Sequence, residues 1–358
     1  MRICLLADGE SIHTVRWCQQ FHEYGHEVHL ITFKNVKILN VHVHYVEGVD
    51  IDVSGGNWKV VLKYLKVKQI IKSVNPQVLH AMYATSYGLL GALSGFHPYI
   101  VTPLGSDVLI SPKQSAIYRF ILKYVFKSAD IITSMAPHMK ESMLELGSKN
   151  EKIEDIMFGI NTDIFNKNNR SISTYDFVIC STRNFEPVYN IPHFLRSIAV
   201  IKGKIPHLKV NIIGDGSLKE NLIQLSKELQ IDDVVRFYGK VPQGEVVSLL
   251  SHAHVFVTVS LSDGNSLSLI EAMACGAYPI VTDILANRQW ITDCVNGRFV
   301  AINDVDGLAE CLLDIYKNYS FIIDKAIQES DRLIAEKGTW QINMAKMNII
   351  YETLNKNG

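Results

Sequence analysis

Short runs of apolar residues alternate with longer segments of helical periodicity along the whole chain. This alternation is typical of strand–helix–strand units, in which parallel strands form a sheet that helices cover on both faces. In the first half it predicts strands at Arg2 to Ala7, Glu27 to Thr32, Val78 to Ala81, Tyr99 to Thr102 and Ile131 to Ser134. In the second half it predicts strands at Phe177 to Ser181, Val210 to Ile213, Val234 to Tyr238, Val255 to Val259 and Tyr278 to Thr282. The sequence therefore predicts an α/β fold with two doubly wound, Rossmann-like domains.

A polar segment separates the two series of strands. The stretch Phe158-Gly-Ile-Asn-Thr-Asp-Ile-Phe-Asn166 precedes a polar run, Lys167 to Thr174, and we interpret this region as the linker. We predict domains over 1–165 and 166–339 and a C-terminal helix over 340–358, in keeping with a length of 358 residues. Sheets of this kind bind ligands beyond the carboxyl ends of their strands, so we expect the active site in a cleft between the two domains.

Composition and charge exclude several classes of protein. The formal net charge of −1 argues against a nucleic-acid binder, which would normally be clearly basic. The six cysteines are scattered, without a C-x-x-C pair or a His/Cys cluster at zinc-ligand spacing, so we predict a cytoplasmic protein without a metal site. The loop Asp8 to Thr14 has one glycine, whereas a dinucleotide cofactor would require G-x-G-x-x-G, so no such cofactor is expected.

The segment from Ser260 to Gly276 is the most informative part of the chain, because it follows a predicted strand and opens a helix. Gly264 gives the backbone the conformational freedom that the turn between the two elements requires. The N–H groups near Asn265, Ser266 and Leu267 then lie at a helix N-terminus, where free backbone donors and the helix dipole favour an anion. These residues predict a binding site for a diphosphate.

Two carboxylates flank this turn. Glu271 follows Asp263 by eight positions, about two helical turns if the helix begins at once, so both could accept hydrogen bonds from sugar or ribose hydroxyls. The alternative for Asp263 is an N-terminal cap beside a turn glycine. Glu271 interrupts an otherwise apolar helix, where a buried carboxylate without a partner would be costly, so it requires a partner.

The same segment resembles the signature of the family-4 type retaining glycosyltransferases, in which Glu, seven residues and Glu precede Ala-Met-Ala, and which have the GT-B fold. Three weaker matches occur in the family's order: its first helix-to-strand turn, its interdomain hinge and its sugar-nucleotide loop. They are Gly25-His-Glu-Val28, Phe158-Gly-Ile-Asn-Thr-Asp-Ile-Phe165 and Ile213-Gly-Asp-Gly216. The resemblance covers nearly the whole chain, and it implies that Gly214 and Gly216 contribute to donor binding.

The resemblance implies an enzyme that moves a sugar from a nucleoside-diphosphate sugar, with UDP as the expected nucleotide, to an acceptor hydroxyl. The acceptor would be a glycan or lipid-linked glycan of envelope or polysaccharide synthesis, bound by the N-terminal domain, and the last helix would cross back onto that domain. Glu271 would bond the ribose, and Asp263 would take the place of the Glu that contacts the donor sugar. Because Asp is one methylene shorter, the identity of the sugar stays open.

The family commonly has an Arg and, five residues later, a Lys after the first strand of the second domain. Here Arg183 is present and the Lys is missing. A guanidinium can bind phosphate oxygens in a bidentate manner, so Arg183 and the helix N-terminus could together hold the leaving diphosphate, with Tyr189 as a further hydroxyl donor. The alternative for Arg183 is a surface cation near a strand end.

Three positions in the first domain are candidates for the acceptor side. Ser11 and His13 resemble the family's acceptor loop, or they form a polar N-cap with a surface histidine. Asp107 could orient the acceptor hydroxyl or cap the following turn, and Leu104 replaces a histidine that the family often has beside the donor sugar. For His80 a hydrogen-bonded position in the core is favoured over one lining the cleft.

A basic segment lies within this first domain. Between Val53 and Ala129 there are nine Lys or Arg residues and one acidic residue. Arg119, Lys123 and Lys127 recur at four-residue spacing on an amphipathic helix, which suggests contact with an anionic membrane surface. A solvated helix face is the alternative.

Two other functions are compatible with these motifs. A UDP-sugar 2-epimerase has the same architecture and would act without an acceptor. A non-catalytic sugar-nucleotide-binding protein is suggested by the missing Lys and by Leu104, and it would bind donor without turnover.

Overall fold

The computed structural model of the protein describes residues 1–48 and 58–357. Two parallel sheets form the framework of this part of the chain. The chain divides into two units, residues 1–158 with 342–358, and residues 159–341. Each unit contains one of the sheets, with helices connecting its parallel strands. The prediction of two doubly wound α/β domains is therefore confirmed.

The first unit contains, within the described residues, a seven-stranded sheet of order β3-β2-β1-β4-β5-β6-β7. Its strands are β1 Arg2–Leu6, β2 Glu27–Thr32, β3 His42–Tyr45, β4 Val78–Met82, β5 Tyr99–Thr102, β6 Ile131–Ser134 and β7 Ile153–Asp155. All residues of β4 and β5 are buried, as expected for central strands covered on both faces. The two edge strands, β3 and β7, were not predicted.

The helices of the first unit follow its strands in turn. They are α1 Ile12–Glu23, α2 Tyr64–Val74, α3 Tyr87–Ser94, α4 Ser106–Leu109, α5 Ser111–Gln114, α6 Ala116–Ser128 and α7 Pro137–Glu145. Trp17 and Phe21 of α1 are buried, and both contact Tyr351 from the C-terminal part of the chain. Gly25 follows α1 with a φ of +82°, the left-handed conformation that favours glycine after a helix.

The second unit contains, in the part of the chain that the structure describes, a six-stranded sheet of order β10-β9-β8-β11-β12-β13. Its strands are β8 Phe177–Ser181, β9 Leu208–Ile213, β10 Val235–Gly239, β11 Val255–Thr258, β12 Tyr278–Thr282 and β13 Arg298–Val300. Its helices are α8 Ile191–Ile201, α9 Lys219–Glu228, α10 Gln243–Ser251, α11 Leu267–Ala274, α12 Leu285–Arg288 and α13 Val305–Leu333. A π-helical turn, Ile334–Gly338, then leads to α14, Trp340–Asn357.

The order of the second sheet creates a switch point between β8 and β11. These two strands pair in parallel, while β9 continues the sheet on one side of β8 and β12 on the other side of β11. The loops that leave β8 and β11 therefore diverge at the carboxyl edge of the sheet. Open α/β sheets bind ligands in the crevice at such a point.

The predicted linker, apart from Phe158, belongs to the second unit. Ile160 pairs with Thr339 in a parallel bridge, and its N–H donates to the Gly338 carbonyl at 2.8 Å. Farther along, Arg170 donates hydrogen bonds to the carbonyls of Ala253 and Cys275. The division into two units falls at residues 158/159, and the boundary predicted from the sequence was 165/166.

None of the described helices combines the length and the apolarity that a membrane span requires.

Candidate active site

Arg183 joins the two loops of the switch point in the second unit. It lies just after β8 and is 8% exposed. Its Nη2 donates to Asp263 Oδ2 at 2.6 Å, and its Nη1 donates to Ser266 Oγ at 3.1 Å and Ser268 Oγ at 2.7 Å. The alternative of a surface cation is therefore wrong, because the guanidinium is buried and bonded to the loop after β11 and to the first turn of α11.

Three buried polar atoms of these loops have no hydrogen-bond partner within the described part of the chain. They are Arg183 Nε, Thr182 Oγ1 and Asn265 Nδ2. A buried donor without a partner carries a desolvation cost of about 1–3 kcal/mol, so a group of them is unfavourable unless something binds there. They belong to the two loops that leave β8 and β11, and a polar, oxygen-rich ligand bound there would supply partners for them.

The surroundings of Arg183 hold its guanidinium in one orientation. Its central carbon lies 4.2 Å from the ring centroid of Tyr189, a cation–π contact. Tyr189 thus contacts Arg183 with its ring face, in addition to the hydroxyl that sequence analysis considered as a donor. A fixed, planar guanidinium with a free Nε–H is suited to phosphate oxygens.

The start of α11 differs from the sequence-based expectation. The helix begins at Leu267 with Ser266 as its N-cap residue. The alternative of Asp263 as the N-cap is therefore wrong, because Asp263 precedes the cap by three residues and pairs with Arg183. Gly264 and Asn265 form the turn between them, and the Asn265 side-chain oxygen accepts a hydrogen bond from Trp290 Nε1 at 2.8 Å.

Glu271 lies in the second half of α11 and is partly exposed between buried neighbours. Because the helix begins at Leu267, Glu271 is about one turn into it. The expected two helical turns between Asp263 and Glu271 are therefore replaced by a loop and one turn. Both carboxylates still belong to the strand–turn–helix segment that carries the switch-point crevice.

Gly214 and Gly216 pack the loop after β9 against the loop that carries Arg183. A Cβ at Gly214 would lie 2.2 Å from the Arg183 carbonyl oxygen, and one at Gly216 would lie 2.8 Å from the Phe185 carbonyl oxygen. Both glycines have positive φ angles, +153° and +156°. Their absent side chains therefore permit the close approach that positions Arg183.

Asp107 has a structural position in the first unit. It is fully buried, with Oδ2 accepting from the Ala84 N–H at 2.7 Å and Oδ1 accepting from the N–H groups of Leu104 and Gly105 at 3.0 Å. Burial raises the pKa of this carboxyl, and these backbone donors act in the opposite direction. The structure favours the turn-capping interpretation over contact with an acceptor.

His13 is half-buried in the first turn of α1, so the alternative of a surface histidine is wrong. Its ring stacks on Phe158 with centroids 4.6 Å apart, and burial, with a smaller effect from Arg16, lowers the pKa of His13 to about 4. Its Nδ1 is buried without a partner among residues 1–48 and 58–357. Ser11 is the N-cap residue of α1, and its side chain makes no capping hydrogen bond.

His80 is a hydrogen-bonded core residue, as the sequence analysis favoured. One ring nitrogen pairs with the Tyr351 hydroxyl and the other with Thr102 Oγ1 at 2.7 Å. Burial lowers its pKa to about 3. It is therefore a neutral imidazole in the folded protein.

The basic helix α6 has exposed apolar residues beside its charges. Ile117 and Phe120 are 71% and 73% exposed, and the three basic residues of its four-residue repeat are exposed as well. Helices α2 and α6 both pack against α3, and α2 adds exposed Leu65 and Lys66 to the same side of the sheet. The beginning of the basic segment, from Val53 to residue 57, lies outside the described residues, as does the side chain of Lys59.

Solved structures resemble the chain over its full length. The sucrose-phosphate synthase of Thermosynechococcus elongatus matches with a TM-score of 0.83 at 17% identity, covering 100% of both chains. Anabaena HepE, solved in complex with UDP, matches with a TM-score of 0.79 at 13% identity, covering 99% of this chain and 100% of HepE. Two Rossmann-like units of this kind define the class of GT-B proteins.

Family models match both halves of the sequence. The model described as "Glycosyl transferase 4-like" matches residues 2–136, and the model described as "Glycosyl transferases group 1" matches residues 163–334. The N-acetyl-alpha-D-glucosaminyl L-malate synthase of Bacillus anthracis is 25% identical over 317 residues, which cover 84% of this chain and 82% of the relative. The chain belongs to the family-4 type glycosyltransferases and is a hexosyltransferase-type enzyme, which confirms the resemblance first noted from its motifs.

Several residues around Arg183 were not predicted from the sequence. Ser268 and Thr182 were not singled out, although they contact or adjoin Arg183, and Trp290 holds Asn265 from a distant part of the chain. Ser268 follows Ser266 by two positions just after the glycine turn, a pattern that could have indicated two hydroxyls facing one cation. No local sequence pattern indicates the contact between Asn265 and Trp290.

Proposed function

We propose that the protein transfers a sugar from a nucleoside-diphosphate sugar, with UDP as the expected nucleotide, to an acceptor hydroxyl with retention of configuration. The observation that carries this proposal is the buried guanidinium of Arg183, which lies against the N-terminus of α11 and whose Nε–H finds no acceptor among the described residues. A diphosphate supplies the oxygen acceptors that these donors lack.

The first turn of α11 supports the same ligand. Its backbone N–H groups have no acceptor within the helix, and the helix dipole adds positive potential at this end. Asp263 stays bonded to Nη2 of Arg183, which balances its charge and leaves Nε for the phosphate oxygens. In this arrangement one guanidinium donates hydrogen bonds to both the carboxylate and the diphosphate. The Lys that the family commonly has is missing from this sequence.

The proposed chemistry requires no protein nucleophile. The bond between the sugar's anomeric carbon and the diphosphate oxygen breaks, and the acceptor oxygen bonds to that carbon on the same face. The departing diphosphate takes the acceptor's proton. The chain contributes by positioning the donor and by stabilising the charge that develops on the diphosphate.

The two carboxylates have separate proposed roles. Glu271 accepts hydrogen bonds from the ribose hydroxyls, and Asp263 lies at the position that faces the donor sugar. Because Asp263 is one methylene shorter than the Glu common in the family, its reach toward the sugar hydroxyls differs from that of the Glu. Gly214 and Gly216 serve this site by positioning the loop of Arg183.

We propose a glycan or a lipid-linked glycan as the acceptor, in envelope or polysaccharide synthesis. The name of the Bacillus anthracis relative denotes a different type of product, an N-acetyl-alpha-D-glucosaminyl L-malate. Small hydroxy acids therefore belong in the acceptor screen beside glycans. We expect a cytoplasmic enzyme that uses no nucleic acid.

We further propose that the face formed by α2 and α6 contacts anionic lipid. Its exposed Leu65, Ile117 and Phe120 lie on helices that also expose basic residues, whereas a purely solvated face would have few large apolar side chains. A surface of this kind would bring the enzyme to a lipid-linked acceptor.

A donor screen tests the proposed function. Thermal unfolding is measured with UDP-, GDP- and ADP-sugars, and the products with and without acceptors are identified by mass spectrometry. We expect one nucleotide to raise Tm, with Glu271→Ala abolishing the shift and Glu245→Ala, an exposed carboxylate on α10, leaving it unchanged. Epimer formed from donor alone, or binding without turnover with any acceptor, would overturn the proposed transfer.

A further inference from the structure

A cluster of histidines and one carboxylate lies on β2 and β3 at the edge of the first sheet. Glu27, His29 and His42 each offer one ligand atom, and these atoms lie within 4.8 Å of one another. The parallel register pairs His29 with His42, and Glu27 is two residues before His29 on the same face of the sheet. The juxtaposition follows from strand pairing and is not visible as a spacing along the chain.

His29 connects the members of this cluster. One ring nitrogen, Nε2, is 3.0 Å from Glu27 Oε1, and the other, Nδ1, is 3.0 Å from His44 Nε2. The rings of His29 and His42 stack with centroids 4.7 Å apart. Both ring nitrogens of His29 are therefore directed at groups of the same cluster.

We propose that Glu27, His29 and His42 form a binding site for a divalent transition metal, with Zn²⁺ as the expected occupant and water completing its coordination. Two imidazole nitrogens and a carboxylate oxygen are ligands that this class of ion prefers. The site goes beyond the proposed transferase activity, because it lies on the first sheet and uses none of the groups at the switch point.

The arrangement around His29 resembles that of a histidine ligand with its usual support. A histidine that binds metal through one nitrogen normally donates the proton of the other to a nearby acceptor, which fixes the ring. Here His29 Nε2 faces the carboxylate, and Nδ1 faces His44 Nε2 at hydrogen-bond distance. His44 thus acts as a positioning residue for the proposed ligand.

Burial and access also suit an ion. His29 is buried at 8% exposure and is fixed, while Glu27 and His42 are exposed and able to rotate. With Zn–N distances of about 2.0–2.1 Å, tetrahedral ligand atoms lie about 3.4 Å apart. Glu27 Oε1, now 3.0 Å from His29 Nε2, would therefore move slightly away from it, and the longer separations within the group, of up to 4.8 Å, would shorten. A surface pocket of about 310 Å³, lined in part by Glu27 and His42, gives access from solvent.

One cation competes for the carboxylate. Arg2 Nε lies 3.9 Å from Glu27 Oε2, and both side chains are well exposed. An exposed pair of this length is weak, and it involves the carboxylate oxygen that does not face His29. The other oxygen therefore remains directed into the cluster.

The proposed metal would join β3, an edge strand, to β2. Each of these two strands supplies at least one ligand, so a bound ion would hold them together in the folded state and not in the unfolded chain. Binding to the folded state alone raises Tm with metal concentration. This gives the site a readout that is independent of glycosyl transfer.

The test uses the untagged full-length chain, stripped with a chelator and titrated with Zn²⁺ by calorimetry and with Co²⁺ by visible absorption. We expect one ion per chain, a Co²⁺ spectrum of low coordination number, and a Tm that rises with Zn²⁺. Glu27→Gln and His42→Ala should each weaken binding at least tenfold, and His44→Phe about 10- to 100-fold. His252→Ala, which removes an exposed histidine of the second unit, should bind as the unaltered chain does.

Circular dichroism of each metal-free variant shows whether it folds. Because Glu27 and His42 are exposed, we expect their variants to fold. Absence of saturable binding at one ion per chain would overturn the proposal. The same conclusion would follow if the folded His42→Ala variant bound Zn²⁺ as tightly as the His252→Ala control.

Discussion

Arg183 and Asp263 form a nearly buried ion pair, with 2.6 Å between Nη2 and Oδ2 and side-chain exposures of 9% and 17%. The pair links the loop after β8 to the loop after β11, and Nε of the guanidinium has no partner in the part of the chain that the structure describes, so it is available to a ligand. In the proposed mechanism this arginine is the only side-chain cation named for the diphosphate.

Replacing Arg183 should reduce catalysis more than its charge alone would suggest. Arg183→Lys keeps a cation but loses the planar fork and the Nε–H, so we expect kcat/KM to fall by about 10²–10³-fold, as for loss of one well-placed donor to developing charge. Initial rates with the donor found in the screen measure this. Arg236→Lys is the matched control, because Arg236 is exposed and also stacks on a tyrosine ring, that of Tyr238. Equal rates for Arg183→Lys and the control would contradict the assignment.

Asp263→Glu restores the residue that the family commonly has. The added methylene extends the carboxylate toward the sugar, and the carboxylate keeps its negative charge beside Arg183. We therefore expect the preference between two donor sugars to change by about 10- to 200-fold. Nucleotide affinity should stay within about threefold, since the guanidinium keeps a partner. Competition kinetics with two sugars on the same nucleotide decide this, and an unchanged preference would remove Asp263 from sugar selection.

Gly214→Ala should disturb the position of Arg183. The new Cβ would lie 2.2 Å from the Arg183 carbonyl oxygen, so the two loops must separate, and we expect a loss of about 1–3 kcal/mol in the free energy of unfolding. Weaker nucleotide binding should accompany it. Gly244→Ala on α10 is the control: a Cβ there meets nothing within 4 Å, and alanine favours a helix by up to about 1 kcal/mol. Urea unfolding and nucleotide titration of both variants provide the comparison, and equal stability would contradict the packing argument.

His80 should make the first unit sensitive to acid. Its folded-state pKa of about 3 lies below the ordinary value of 6.5, so the unfolded chain binds a proton that the folded chain does not. Stability should therefore be fully present above pH 6.5 and fall by up to about 1.4 kcal/mol per pH unit from this group as the pH drops toward 3. Urea unfolding between pH 7 and pH 4.5 should show a shallower slope for His80→Gln. The slope for the exposed His252→Ala should match that of the unaltered chain.

The face of α6 should govern vesicle binding. Replacing Arg119, Lys123 and Lys127 with Ala removes three exposed cations, each contributing about 1 kcal/mol near an anionic surface, so we expect about 100-fold weaker binding at low salt. The control replaces three exposed lysines of the second unit, Lys204, Lys227 and Lys240. Pelleting with anionic vesicles measures both. If the unaltered protein stays in the supernatant at low salt, the proposed membrane contact is wrong.

The central strands were predictable because their apolar runs are continuous. Phe177–Ser181 and Tyr278–Thr282 have the predicted bounds, and both are buried throughout. The edge strands β3, β7 and β13 are short and partly exposed, so their sequences lack an apolar run. Their pairing depends on neighbours that no local pattern identifies.

In the candidate site, too, some features were predictable from the local sequence and others depend on residues far apart in the chain. The strand–glycine–helix segment after β11 indicated the anion site from its own residues, whereas Arg183 was indicated by the resemblance to a family that commonly has an Arg after this strand. The exact start of α11, the Ser268 contact and the glycine approach to the Arg183 carbonyl depend on packing between loops. The cluster of Glu27, His29 and His42 was missed because its members meet through strand register.

The most direct test of the account is a crystal structure of the protein with its nucleoside-diphosphate donor bound. We predict that the diphosphate lies within hydrogen-bond distance of the Arg183 guanidinium, Nε included, and of the first-turn N–H groups of α11, with the ribose at Glu271. Density for the diphosphate at any other position, with Arg183 Nε still without a partner, would contradict it.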